Sequence, residues 1–140
     1  MPQTITRGIK ALIGEAKSEI TEYTIEQTRD LAAQDDVVLV DIRDPRELSR
    51  DGKIAGAFHC TRGMLEFWID PDSPYHKPVF AEDKTFIFFC AGGMRSALAA
   101  KAAQDMGLKP VAHMIGGFGA WKKAEFAIEP GEKVWSDKKS

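Results

Sequence analysis

The sequence predicts an α/β domain built on a mainly parallel sheet. Three observations carry that expectation. Two short runs, Val37 to Ile42 and Thr85 to Cys90, are almost wholly apolar and rich in β-branched or aromatic residues, as strands buried on both faces of a parallel sheet are. Strand-like and helix-like segments alternate along the chain, which is the pattern of repeated βα units. The 140 residues are enough for one domain, which at this size needs neither disulfide nor metal to hold its core.

Each element has a local reason. Ile5, Ile9, Leu12, Ile13 and Ala16 recur at helical spacing, so residues 1–19 read as a helical extension packed on the domain or on a partner chain. Ile20 to Tyr23 reads as a short strand. Thr24 followed by Gln27 has the form of a capping box, opening a helix that runs to about Gln34. After the strand Val37 to Ile42, Asp44 caps a short helix with Pro45 at its first position. Gly52 and Gly56 bracket a turn, and Ala57 to Cys60 forms a further short strand. Gly63 to Ile69 makes a helical turn or two. The prolines and polar turn formers of Asp70 to Pro74 then force a loop. Met94 to Met106 is a helix whose five alanines let it lie close on the sheet, ending at Gly107 in a left-handed cap. Val111 to Ile115 is the last strand, and a short helix covers Ala120 to Phe126. The domain proper spans 20–128, with a polar tail over 129–140.

Composition excludes several classes of function. Apolar residues make up 44% and charged residues 29%, the range of ordinary soluble proteins. A net charge of −2 provides no basic footprint for nucleic acid. No apolar run is long enough for a membrane span, and the N-terminus lacks the pattern of a secretory signal. The default expectation is the reducing cytoplasm, where Cys60 and Cys90 are free thiols. His59, His76 and His113 show no ligand spacing, so no metal site and no cofactor is expected. His59 and His113, on strands, read as packed or hydrogen-bonded residues at the core edge.

The segment with chemical content is Cys90-Ala91-Gly92-Gly93-Met94-Arg95-Ser96. Cys90 ends an apolar strand, and ligands of parallel sheets bind beyond the carboxyl ends of strands. Gly92 and Gly93 allow positive φ, so successive N–H groups can turn inward as an anion-binding nest. The helix that follows brings more unpaired N–H groups and a partial positive charge, and Arg95 adds a full one. Together these favour a thiolate, or a persulfide anion built on it. Ala91 to Ser96 are the candidate binding loop, Cys90 and Arg95 the candidate catalytic pair. Met94 is a specificity candidate at the pocket mouth. Asp41 ends the neighbouring strand and can fix the loop or pair with an arginine. Arg43 and Arg46 can attract an anionic donor, although Arg46 reads equally well as a solvated surface residue. Nothing around Cys60 suggests activation, so it reads as a packing residue; its other reading is a thiol that resolves a Cys90 persulfide.

The sequence resembles the rhodanese family of sulfurtransferases over residues 20–128. Val38-Leu39-Val40-Asp41-Ile42-Arg43 with Glu47 is similar to the family's first strand motif, and Gly52 to Ala57 to its turn motif. Cys90 to Arg95 is similar to its catalytic loop, and Ile115 to Trp121 to its C-terminal signature. The turn motif departs from the family's usual form at Lys53 and Ala55, positions that shape a turn more than the chemistry. The resemblance implies a single domain with a five-stranded parallel sheet between helices, and a persulfide carried on Cys90. It implies a thiosulfate sulfurtransferase that moves a sulfane sulfur from a small donor such as thiosulfate to cyanide, a small thiol or a protein thiol. Monomer and homodimer are both open. A non-catalytic module that binds a partner or senses sulfur or redox state is the second reading. A phosphatase or arsenate reductase is the third, and those relatives carry a longer loop than the four residues between Cys90 and Arg95. Phe67, Trp68, Tyr75 and Phe80 make residues 63–83 longer and more aromatic than in minimal relatives. That segment reads either as local packing or as an apolar lip over the site.

Overall fold

The computed structural model describes residues 2–133. Five strands, β1 (Thr21–Tyr23), β2 (Val37–Asp41), β3 (Phe58–His59), β4 (Thr85–Phe89) and β5 (Val111–Met114), pair in parallel in the order β1-β5-β4-β2-β3. Central β4 is the most apolar strand, and its Phe86, Ile87, Phe88 and Phe89 are all fully buried. Among the described residues six α-helices accompany the sheet: α1 (Ile9–Glu19), α2 (Ile25–Ala32), α3 (Pro45–Asp51), α4 (Leu65–Ile69), α5 (Met94–Asp105) and α6 (Gly117–Lys123). Among the described residues no helix is long and apolar enough to cross a membrane.

Helices α1, α4 and α5 share one face of the sheet with Val40, Phe86 and Phe88, while α2 and α6 share the other with Leu39, Ile87 and Phe89. The small residues of α5 explain its close approach: Ala97, Ala99, Ala100 and Ala103 are all fully buried. Both expected helix starts are capping boxes. The Gln27 N–H donates to Thr24 Oγ1 and the Thr24 N–H to Gln27 Oε1. The Arg46 N–H donates to Asp44 Oδ1 and the Asp44 N–H to Glu47 Oε2. The helical extension is α1, which packs on α5 through buried Ala16, with Gln104 Nε2 donating to the Glu19 carbonyl at 2.8 Å.

Several boundaries differ from expectation. β3 is only two residues long, although the chain still tracks β2 beyond it, with the Cys60 N–H donating to the Asp41 carbonyl. Helix α6 begins at Gly117 rather than Ala120, because the N–H groups of Phe118 and Gly119 are engaged by the loop after β4. A 3₁₀ turn at Pro78–Ala81 went unforeseen. Within 63–83, Trp68 and Phe80 pack edge-to-face on Phe58 at 5.8 and 5.7 Å, and Phe80 stacks on Phe86. Phe67 and Tyr75 instead pair with each other at the surface. The tail expected over 129–140 lies outside the described residues from 134 on. Its first residue, Glu129, forms an isolated antiparallel bridge with Lys53.

Chain direction across the sheet reverses between β4 and β2, and a ligand crevice belongs at the carboxyl ends of two such strands. The residue that follows β4 is Cys90. The close α5–sheet contact that supports this end of the fold is testable: Ala100→Leu should overpack it and cost about 1–3 kcal/mol, read as a lower urea midpoint with an unchanged m value.

Candidate active site

Cys90 is 1% exposed, so its sulfur must be held by protein groups rather than by water. The Gly93 N–H donates to Sγ at 3.2 Å and the Ser96 N–H at 3.4 Å. Two amides are thus aimed at one sulfur, the arrangement of an anion-binding nest. The chain can turn this tightly because Gly93 adopts a φ of 100°, which an L side chain rarely adopts. A Cβ there would also stand 3.3 Å from the Gly116 amide nitrogen. Of the loop amides expected around the sulfur, those of Gly93 and Ser96 reach it, whereas Met94 points to solvent and is 63% exposed.

The loop is braced from behind. The Phe118 N–H donates to the Cys90 carbonyl at 2.8 Å and the Gly119 N–H to the Ala91 carbonyl at 2.9 Å. This contact requires glycine at 117: its φ is +61°, and a Cβ would lie 2.4 Å from the Cys90 oxygen and 2.7 Å from the Ala91 oxygen. Gly117 is thus a site residue that motif reading recorded only as part of a signature.

Arg95 opens α5 and reaches across to α3. Its Nη1 and Nη2 donate to the two carboxylate oxygens of Glu47 at 2.9 and 2.8 Å. That bidentate end-on pair holds Glu47 below the usual carboxylate range, against the opposing effect of desolvation. Arg95 is raised by the same hydrogen bond, with a smaller contribution from the Cys90 sulfur. Glu47 was absent from the expected site. It both closes the α3 capping box and orients Arg95, and no local pattern reports a partner 48 residues away.

The Rhodanese-like domain family matches residues 24–124. The chain belongs to that family. A thiosulfate sulfurtransferase (GlpE) from Glaesserella parasuis is 33% identical over 111 residues, covering 79% of this chain and 94% of that protein. A solved structure from Rhodopseudomonas palustris, a protein of unknown function described as a "possible tyrosine phosphatase", is 68% identical, covers 92% of this chain and 99% of that one, and has a TM-score of 0.89. A thiosulfate sulfurtransferase from Pseudomonas aeruginosa shares the fold at a TM-score of 0.72 and 22% identity, covering 92% of this chain and a quarter (25%) of that one.

This rhodanese-like domain corrects the expectation for Arg43. The side chain is fully buried, so it is not placed to attract an anion from solvent. Its Nε and Nη2 donate to Asp41 at 2.8–3.2 Å and Nη2 also to the Gly52 carbonyl. The guanidinium lies over the Phe118 ring, 4.1 Å from its centroid. Asp41 pairs with an arginine as expected, and the pair ties β2 to the turn after α3 and to α6. Arg46 is exposed at the start of α3. Cys60 is fully buried, and burial pushes its thiol up to about 12, opposite to what a resolving thiol needs. His59 Nε2 is hydrogen-bonded with the Arg43 carbonyl at 2.7 Å.

Three outcomes follow from this geometry. Gly117→Ala should cost about 1–3 kcal/mol through the left-handed backbone alone, seen as a lowered melting temperature. Asp41→Ala strands Arg43 as a buried unpaired charge and should cost about 3–5 kcal/mol, seen in urea unfolding. The Glu47–Arg95 pair contributes stability above the ordinary glutamate value of 4.5, and that contribution fades as pH falls through the lowered native value. Because Arg95 is partly exposed, the effect is no more than about 1 kcal/mol. Urea midpoints of wild type and Glu47→Gln should therefore differ at neutral pH and converge in acid.

Proposed function

We propose that this domain is a sulfurtransferase that carries a sulfane sulfur as a persulfide on Cys90. The observation that carries the reading is the pair of N–H groups, from Gly93 and Ser96, directed at a single buried sulfur. A nest of that size suits one anionic sulfur attached to the cysteine.

The mechanism is covalent and nucleophilic. The Cys90 thiolate attacks the outer sulfur of thiosulfate. A new S–S bond forms to Sγ, the S–S bond of the donor breaks, and sulfite leaves with the electron pair. A thiophilic acceptor, whether cyanide, a small thiol or a protein thiol, then attacks the outer sulfur. The persulfide bond breaks and its electrons return to Cys90 as thiolate. The loop amides hold the anion in both states. Arg95, oriented by Glu47, supplies positive charge at the rim where sulfite departs. Ping-pong kinetics follow from the covalent intermediate.

The name borne by the 68% identical relative makes phosphate-ester hydrolysis the reading to test against. Arg95 is paired end-on with the Glu47 carboxylate through Nη1 and Nη2, so its charge is largely compensated before any phosphoryl group arrives. Incubation with thiosulfate should raise the intact mass by one sulfur atom in wild type and not in Cys90→Ser. Aryl phosphate hydrolysis without sulfur loading would replace this reading by the phosphatase one. Neither activity would leave a binding module.

A further inference from the structure

Behind Cys90, on the side of α5 and β5, a chain of polar groups leads out of the site that the transfer steps above do not use. Cys90 Sγ lies 3.6 Å from Ser96 Oγ. Ser96 Oγ lies 2.9 Å from His113 Nδ1, and His113 Nε2 lies 2.8 Å from Glu22 Oε2. Cys90, Ser96 and His113 are at most 1% exposed, whereas the Glu22 side chain is 29% exposed. One end of the chain is the buried sulfur and the other reaches water.

The geometry points to a proton relay in which His113, positioned by Glu22, takes the Cys90 thiol proton through the Ser96 hydroxyl. The relay rests on the reading of Cys90 as the nucleophile and deepens it. In the resting state the S–H donates to Ser96 Oγ, the Ser96 O–H to His113 Nδ1, and His113 Nε2–H to the Glu22 carboxylate. The carboxylate fixes the tautomer and leaves Nδ1 as the acceptor facing Ser96. In the active state the S–H bond has broken, its proton sits on Ser96 Oγ, and the former Ser96 proton sits on Nδ1. The thiolate now accepts from Ser96, Ser96 accepts from the imidazolium, and the imidazolium still donates to Glu22. All three hydrogen bonds persist, the two at Ser96 with their direction reversed and the one to Glu22 unchanged, no heavy atom needs to move, and the total charge of the set is unchanged.

The surroundings of His113 fit a resting base. Desolvation pushes its imidazole below the ordinary value, Glu22 opposes that shift, and Lys17 on α1 adds to it. The groups that face it are thus Lys17 from α1, Glu22 from β1, Ser96 from α5 and, through Ser96, Cys90. The ring is neutral at rest and becomes a cation most readily when a thiolate forms beside it. Glu22 stands on β1, so the outer end of the relay comes from the N-terminal edge strand.

Cys90 alkylation by iodoacetamide, located by peptide mass and followed against pH, reads the thiolate without any sulfur donor. Glu22→Gln keeps the size of the side chain and an amide oxygen to accept Nε2–H, so a role in packing alone predicts an unchanged profile. The relay predicts a midpoint about one pH unit higher, which is about tenfold slower alkylation at neutral pH. In Ser96→Ala the connection to Cys90 is cut, so adding Glu22→Gln should move the midpoint no further. An unchanged midpoint in folded Glu22→Gln, or the same shift with and without Ser96, overturns the relay. Absent thiosulfate loading together with the Glu22→Gln shift would instead reject sulfur transfer and retain the relay.

Discussion

Two backbone hydrogen bonds, from the N–H groups of Phe118 and Gly119 to the carbonyls of Cys90 and Ala91, are the constraint on which the site depends. They hold those carbonyls toward α6. The chain that follows then curls so that the amides of Gly93 and Ser96 face the sulfur. No side chain fits between the two segments, which is why a residue without a Cβ occupies position 117. The same turn reaches further through the Phe118 ring, which meets the guanidinium of Arg43, itself clamped to Asp41 at the end of β2. The carboxyl ends of β2 and β4 are thus joined through α6 as well as through their own ladder.

What could be read in advance was local in sequence. β2 and β4 announced themselves as apolar runs, the Thr24–Gln27 capping box as residues three apart, the start of α3 as Asp44 before Pro45, and the sulfur loop as one continuous segment. What could not be read depends on distant partners. An arginine just past a strand reads as solvated, and only Asp41, Gly52 and Phe118 together make burial of Arg43 tolerable. Glu47 entered only as part of a strand motif; its capping bond to Asp44 is local, while its bond to Arg95 is not. His113 read as a packed or hydrogen-bonded strand residue, and it is both; which partners it has could not be read, because they come from α5 and from an edge strand 91 residues earlier.

The local charges are balanced much as the whole chain is. Arg95 is the one cation that the loop motif carries, and Glu47 neutralises most of its reach. Arg43 is neutralised by Asp41. The sulfur therefore feels mainly oriented amides at 3.2–3.4 Å, which act at short range and are little affected by salt. Such a field recognises a single anionic atom. It is less suited to gathering a multiply charged phosphoester from solution, where an uncompensated guanidinium would dominate.

Cys90 is 1% exposed and the polar chain behind it ends on Glu22, so the register of a three-residue edge strand acquires chemical weight. β1 pairs with β5 so that Glu22 stands opposite His113, and the Ile115 N–H donates to the Tyr23 carbonyl at 2.8 Å to hold that alignment. Side chains alternate between faces along a strand, so a slip of one residue would turn Glu22 to the opposite side of the sheet. His113 would then keep Ser96 but lose its carboxylate, and Nε2–H of the imidazolium would have no anionic partner in a site that penalises charge. The anchorage of α1 on α5 by Ala16 and by the Gln104 bond to Glu19 sets where β1 begins. The N-terminal helix, far from the sulfur in sequence, thereby bears on the protonation of Cys90.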